Sequence, residues 1–160
     1  MGKNDDKTNV MRVLEQKKIP YIPHLYYESG ETNGMEIARA LNEDPKRCFK
    51  TLVTVGKSGK NFCFVIPVCK ELDLKKAARA VGEKSIEMLK SKDLLPLTGY
   101  VHGGCSPIGM KKPFQTVFND GIFEYETIYF SAGKIGYQVE ISPKDIERVI
   151  KYTLFDLTVD

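Results

Sequence analysis

Three sets of residues in this 160-residue chain have the types needed for chemistry. The first is the run Leu95–Lys112, LPLTGYVHGGCSPIGMKK, in which four of the eleven residues from Gly99 to Gly109 are glycine. Glycine permits positive φ and close approach to the backbone, and Pro107 stiffens the same run. Successive amides of Gly103-Gly104-Cys105-Ser106 can converge on an oxyanion or a phosphate; a plain turn is the other use of such a segment. His102 and Cys105, three residues apart, are the types of a thiol nucleophile and its base. Their spacing fits no local cysteine-hydrolase signature, so Cys105 reads as a small residue packed in a tight turn.

The second is Lys50, within Phe49-Lys50-Thr51-Leu52-Val53-Thr54-Val55. If this is a strand, Lys50, Leu52 and Thr54 share one face, and Phe49, Thr51, Val53 and Val55 the other. A lysine there is either a solvated strand residue or a cleft residue. In a cleft it could bind a phosphate or ribose, or stabilise developing negative charge. The third is Tyr26-Tyr27, one expected inward and one outward. The lysine pairs Lys75-Lys76 and Lys111-Lys112 could meet phosphates, although solvated charge is their simpler use.

Composition narrows these options. Lysine and arginine number 24 against 21 acidic residues, a net charge of +3, which neither establishes nor opposes nucleic-acid binding. The four cysteines form no C-x-x-C pair and the two histidines are isolated, so no metal site is expected. Free thiols fit a reducing compartment, and no apolar leader or membrane-length stretch is present, which gives a cytoplasmic expectation with no membrane partner. The chain carries no P-loop or dinucleotide fingerprint, and no cofactor is expected.

The elements that must position these groups read as follows. Residues 1–7 are polar and expected to be flexible, and residues 8–160 make one domain. Thr8 caps a first helix with Val10, Val13 and Leu14 on its apolar stripe. Ile19 to Tyr27 is extended, and Pro20 and Pro23 make it an edge strand or an irregular one. A helix from Asn33 to Leu41 turns Ile37, Ala38 and Leu41 inward. Asp44-Pro45 starts a helical turn. Phe49–Val55 and Asn61–Val68 form a hairpin across Gly56–Lys60. Asp73 opens a helix that Gly82 stops. After the glycine-rich loop, strands are expected at Gln115–Phe118, Thr127–Phe130 and Tyr137–Ile141. Ser142-Pro143 then begins a helix with Ile146, Val149 and Ile150 buried. The irregular alternation predicts a mixed α+β single domain: a curved, mostly antiparallel mixed sheet or partial barrel surrounded by helices.

Taken in order, Phe49–Val53, Leu72–Ala78, Thr98–Gly109 and Ser131–Gly136 resemble the YbaK/EbsC family of Cys-tRNA(Pro) deacylases over residues 8 to 158. The same domain type is inserted in some bacterial prolyl-tRNA synthetases. The resemblance implies trans-editing of tRNA(Pro) mischarged with cysteine, extending to Cys-tRNA(Cys). Partnership with prolyl-tRNA synthetase in a ternary complex is implied too. Cysteine and proline are close in volume, so a synthetic site discriminates them weakly and editing supplies the rest. The implied mechanism uses the thiol of the substrate cysteine, which attacks its own ester carbonyl and leaves as a thiolactone.

By motif match, the implied catalytic groups are Lys50 and the backbone of Gly103 and Gly104. Substrate contacts fall on Tyr26, Thr51, Ser106, Pro107, Ser131 and Gln138, with Ser106 and Pro107 holding the loop. Thr51 is expected to leave on the strand face opposite Lys50. Gln138 is a departure, because some relatives carry aspartate there, and an amide cannot act as a carboxylate base. Two alternatives stay open: release of another small amino acid, such as alanine, from tRNA(Pro), or a non-catalytic module that binds tRNA or synthetase.

Overall fold

The computed structural model describes residues 7–160; the expected flexible N-terminus lies almost entirely outside them. Lys7, the one residue of it inside, reaches Glu15 at 2.9 Å. Helix α1 (Asn9–Gln16) starts where Thr8 accepts from the Met11 amide, and it buries Val10, Met11 and Leu14. Strand β1 (Ile22–Leu25) follows, and it is an edge strand, as Pro23 within it requires. Helix α2 (Gly34–Ala40) is capped by Asn33 and buries Ala38.

Strands β2 (Phe49–Gly56) and β3 (Asn61–Pro67) pair antiparallel in the expected hairpin. Helix α3 (Leu74–Val81) is capped by Asp73 and ends on Gly82 at φ 72°, with Ala77 and Ala78 inward. Strand β4 (Ile86–Met88) pairs only with the end of β2, at Thr54–Gly56. Strands β5 (Gln115–Asn119), β6 (Ile128–Lys134) and β7 (Tyr137–Ile141) stand where expected. Helix α5 (Pro143–Ile146) has Ser142 as its cap and buries Ile146; Val149 and Ile150 follow on turns and are only half-buried. Strand β8 (Thr153–Phe155) closes the chain.

These strands form two sheets rather than one. Strands β1-β7-β6 make an antiparallel sheet, and β4-β2-β3-β5-β8 a mixed one, with β3-β5 and β5-β8 parallel. A single bridge, Cys48 to Tyr129, ties the end of β2 to β6. The mixed sheet with outer helices is as expected, but the curvature resolves into two sheets splayed from that bridge. The main core lies between them, with Phe118, Phe130, Ile108 and Ile141 almost fully buried.

A further difference falls on the glycine-rich run. Helix α4 (Ser91–Thr98) continues through Pro96 before Gly99, at φ 85°, ends it. The loop therefore begins at Gly99 rather than Leu95. Pro96 removes one helical hydrogen bond. The Thr98 hydroxyl occupies the Leu94 carbonyl at 2.8 Å, and the Gly99 amide reaches Leu95, so the last turn stays closed.

Candidate active site

A cleft of about 530 Å³ opens where β2 diverges from β6. Its walls come from the first turn of α2, residues 49–53 of β2, the β4–α4 connection, the glycine-rich loop, and Phe130, Ser131 and Gln138 of the small sheet. Five consecutive β2 residues line it, so the cleft meets that strand at its open edge rather than on one face. Strand β4 pairs with residues 54–56 and the Leu89 amide reaches the Val53 carbonyl at 3.1 Å, which leaves the edge of residues 49–52 without a neighbouring strand. Lys50 and Thr51 thus both reach the cleft, against the expectation that Thr51 turns away. The Thr51 hydroxyl is buried there with no hydrogen-bond partner.

Lys50 is half-buried, and among the described residues no carboxylate pairs with it. An ammonium held on a strand without a counter-ion is available to an anionic ligand.

The loop after α4 is built as a fixed scaffold. The Tyr100 hydroxyl donates to the Ile108 carbonyl, clamping its two ends together. Ser106 is fully buried and its hydroxyl oxygen accepts from the Ile108 amide at 3.3 Å. Gly103 sits at φ 90°, where a side chain would be strained and its Cβ would crowd Thr32 at 3.3 Å. Gly103 lines the cleft. Gly104 does not, and its amide already donates to the Val101 carbonyl at 2.9 Å. Its missing Cβ has another use: a Cβ there would stand 3.1 Å from the Ile135 backbone nitrogen. Gly104 thus lets the loop close on the β6–β7 hairpin. Pro107 faces a second cavity.

Cys105 lines the cleft but is only 9% exposed, and burial pushes its thiol up to about 12. Such a thiol is almost wholly protonated near neutral pH, which disqualifies it as a ready nucleophile. His102 lines the same cleft, yet no hydrogen bond joins the two among the described residues.

The small sheet presents a row of polar side chains. In register, His24 lies opposite Gln138, and Gln138 opposite Ser131. The Ser131 oxygen accepts from the Gly133 amide at 3.0 Å, where the hairpin register shifts. Tyr26 is 6% exposed, its backbone amide donates to the Gly136 carbonyl at 2.8 Å, and it does not line the cleft. Tyr27 is half-exposed, which gives the expected one-in, one-out pair, and stacks on Tyr137. Of the residues singled out from sequence, Lys50, Thr51, His102, Gly103, Cys105, Ser131 and Gln138 line the cleft. Tyr26, Gly104, Ser106 and Pro107 support it or lie beyond it.

Sequence reasoning passed over the polar network under this row. Glu140 accepts from Thr127 and contacts His24 at 2.8 Å, with Arg47 at 3.6 Å. Burial alone would raise the Glu140 carboxyl, but Thr127 and His24, with Arg47, outweigh it and hold it below the usual carboxylate range. Glu43 accepts from Gln138 at 3.0 Å and from the Cys48 thiol at 3.3 Å. No sequence pattern marks Glu43, because only the tertiary packing of the α2 end against β7 brings it there.

Among the described residues no group of three His, Cys, Asp or Glu side chains is placed to hold a metal ion. No helix of the described residues is long and apolar enough to cross a membrane.

With this geometry in view, the relatives are informative. A protein of Enterococcus faecalis, EbsC, provisionally named a Cys-tRNA(Pro)/Cys-tRNA(Cys) deacylase, is 46% identical over 145 residues. That match covers 90% of this chain and 88% of the relative. A solved structure provisionally described as a trans-editing enzyme for prolyl tRNA synthetase superposes with a TM-score of 0.80 at 23% identity, covering 96% and 99% of the two chains. A second, described only as a hypothetical protein, gives 0.84 at 19% identity, covering 95% and 100%. These two show the shared fold. The aminoacyl-tRNA editing domain family matches residues 31–149, a span that holds Lys50, the glycine-rich loop, Ser131 and Gln138. On that match and the EbsC identity, the chain belongs to the aminoacyl-tRNA editing domain family.

Proposed function

We propose that this protein removes cysteine from mischarged Cys-tRNA(Pro), and from Cys-tRNA(Cys), by assisting attack of the substrate's own thiol on its ester carbonyl. The observation that carries this reading is the contrast inside one cleft: among the described residues Lys50 has no carboxylate partner, while the Cys105 thiol is buried and pushed up by that burial. The site offers charge stabilisation and shape, and no activated nucleophile of its own. The name of the E. faecalis relative supports the substrate.

In the step itself, a carbon–sulfur bond forms to the carbonyl carbon and the ester carbon–oxygen bond breaks. The thiol proton goes to the departing ribose hydroxyl. The cyclic thiolactone then hydrolyses in water. Lys50 holds the terminal ribose or phosphate and favours the negative oxygen of the tetrahedral intermediate. The Gly103 amide faces the same oxygen from the loop, with Gly104, Ser106 and Pro107 fixing that loop. Thr51, Ser131 and Gln138 contact the aminoacyl-ribose, and Tyr26 supports them from outside the cleft. The protein acts in the cytoplasm, and its net charge of +3 favours weak binding of tRNA alone and help from prolyl-tRNA synthetase.

A deacylation panel of Cys-, Ala- and Pro-tRNA(Pro) tests this. Selective release of cysteine is expected. Preferential release of alanine would replace the substrate, and no release from any of the three would leave a binding module.

A further inference from the structure

One carboxylate behind the cleft wall has no part in the proposed reaction. Helix α2 ends at Leu41, and Asn42 takes the left-handed conformation, φ 54°. The Glu43 amide then bonds back to the Ala38 carbonyl at 2.8 Å, as the Asn42 amide does to Arg39 at 3.1 Å. This closed helix end fixes Glu43 and turns its side chain under β7. There its Oε1 accepts from both Gln138 Nε2 and the Cys48 thiol, while its Oε2 is buried without a partner.

The consequence falls on Gln138, which is 5% exposed and lines the cleft. The carboxylate accepts only from the amide nitrogen, so the Gln138 carbonyl must point away from it. That oxygen is buried and has no donor. A buried acceptor left unpaired is costly, and a ligand donor at this position would relieve it. The donor's charge follows from the neighbours. Arg47 and His24, the basic side chains of this network, both contact Glu140. Among the described residues Glu43 therefore has no salt-bridge partner, and Lys50, on the other wall, has none of opposite sign. A ligand positive at one end and gaining negative charge at the other complements both.

We infer that Glu43 is a positioning residue that presents the Gln138 carbonyl, backed by its own charge, as the seat of the substrate's α-ammonium group. This rests on the deacylase reading. Burial raises the Glu43 carboxyl by penalising its charged form, and a cation seated on Gln138 would favour that charged form again.

The test compares single-turnover release from Cys-tRNA(Pro) and from N-acetyl-Cys-tRNA(Pro), which has no ammonium. Wild-type protein should prefer the free amine by about tenfold or more, the scale of one charge-assisted hydrogen bond. In Glu43→Gln and in Gln138→Leu that preference should fall toward one, and Glu43→Asp should recover most of it. Unfolding curves establish that each variant folds, and the two independent variants guard against loss of either. A folded Glu43→Gln or Gln138→Leu that keeps the wild-type preference overturns the inference. So does a wild-type protein indifferent to acetylation, and in either case cysteine release itself leaves the deacylase reading standing. Failure of wild-type protein to release cysteine at all removes that reading and the inference with it.

Discussion

The glycine-rich loop separates two cavities that differ in kind. His102, Gly103 and Cys105 border the cleft at the β2 edge, about 530 Å³. A few residues on, Pro107, Gly109 and Met110 border a larger hollow, about 1290 Å³, completed by residues around β8 such as Tyr152 and Leu154. The larger one holds none of the buried orphan acceptors found among the described residues, and Glu147 and Lys151 are its only charged lining. The smaller one is lined by Lys50, unpaired among the described residues, and by Thr51 and Gln138, each carrying a buried oxygen without a partner. Volume and apolarity therefore do not pick the site; the unpaired lysine and the unsatisfied polar groups do, because buried polar groups without partners are costly and call for a partner.

The largest expected effect breaks the smaller cleft at its charge. Lys50→Ala should lower single-turnover cysteine release by about 100-fold or more, the scale of losing a group that stabilises developing charge. Activity near wild-type would move the site elsewhere. Next comes the wall between the cavities. Gly104→Ala places a Cβ against hairpin backbone at 3.1 Å, which must shift the loop. About a tenfold loss of release is expected, since small misplacement near reacting atoms is costly; an unchanged rate would mean that the loop's position does not matter.

The polar network behind the small sheet sharpens the contrast in another way. The Glu140 carboxyl is depressed when folded, so the folded protein binds fewer protons there than the unfolded chain. The stability it contributes is present above its ordinary value of 4.5 and is lost as pH falls through the folded value. Glu140→Gln should flatten that acid limb of a stability–pH curve, and an identical limb would deny the network its role. The smallest effect belongs to the larger cavity. Leu154 is 40% exposed on its rim, and Leu154→Asp should leave cysteine release within about twofold, as surface changes away from a site usually do. A large loss would make the second cavity part of the function.

Local rules made much of this legible from residue types. Thr8, Asn33, Asp73 and Ser142 all cap helices as their side chains allow. The β2–β3 hairpin and Lys50 at the cleft also follow from pattern. What escaped was tertiary. Pro96 reads as a helix breaker, yet one missing hydrogen bond does not outweigh a turn closed by Thr98 and Gly99. Strands β4 and β8 span three residues each, too short for alternation to show. Thr51 was assigned by strand alternation to the face away from Lys50, but a cleft at a strand edge takes both neighbours. The Gly104 amide looked available and is spent inside the loop. Glu43 looks like loop charge in Asn42-Glu43-Asp44 and acquires meaning only beneath Gln138.

The central claim is that the reacting thiol belongs to the substrate and that Cys105 is a packed loop residue. The direct measurement is single-turnover cysteine release from Cys-tRNA(Pro) by wild-type protein and by Cys105→Ala. Rates within about threefold of each other are predicted, since a buried thiol held at about 12 supplies almost no thiolate. Release by the wild type together with its complete loss in a folded Cys105→Ala would contradict the account and make Cys105 the nucleophile.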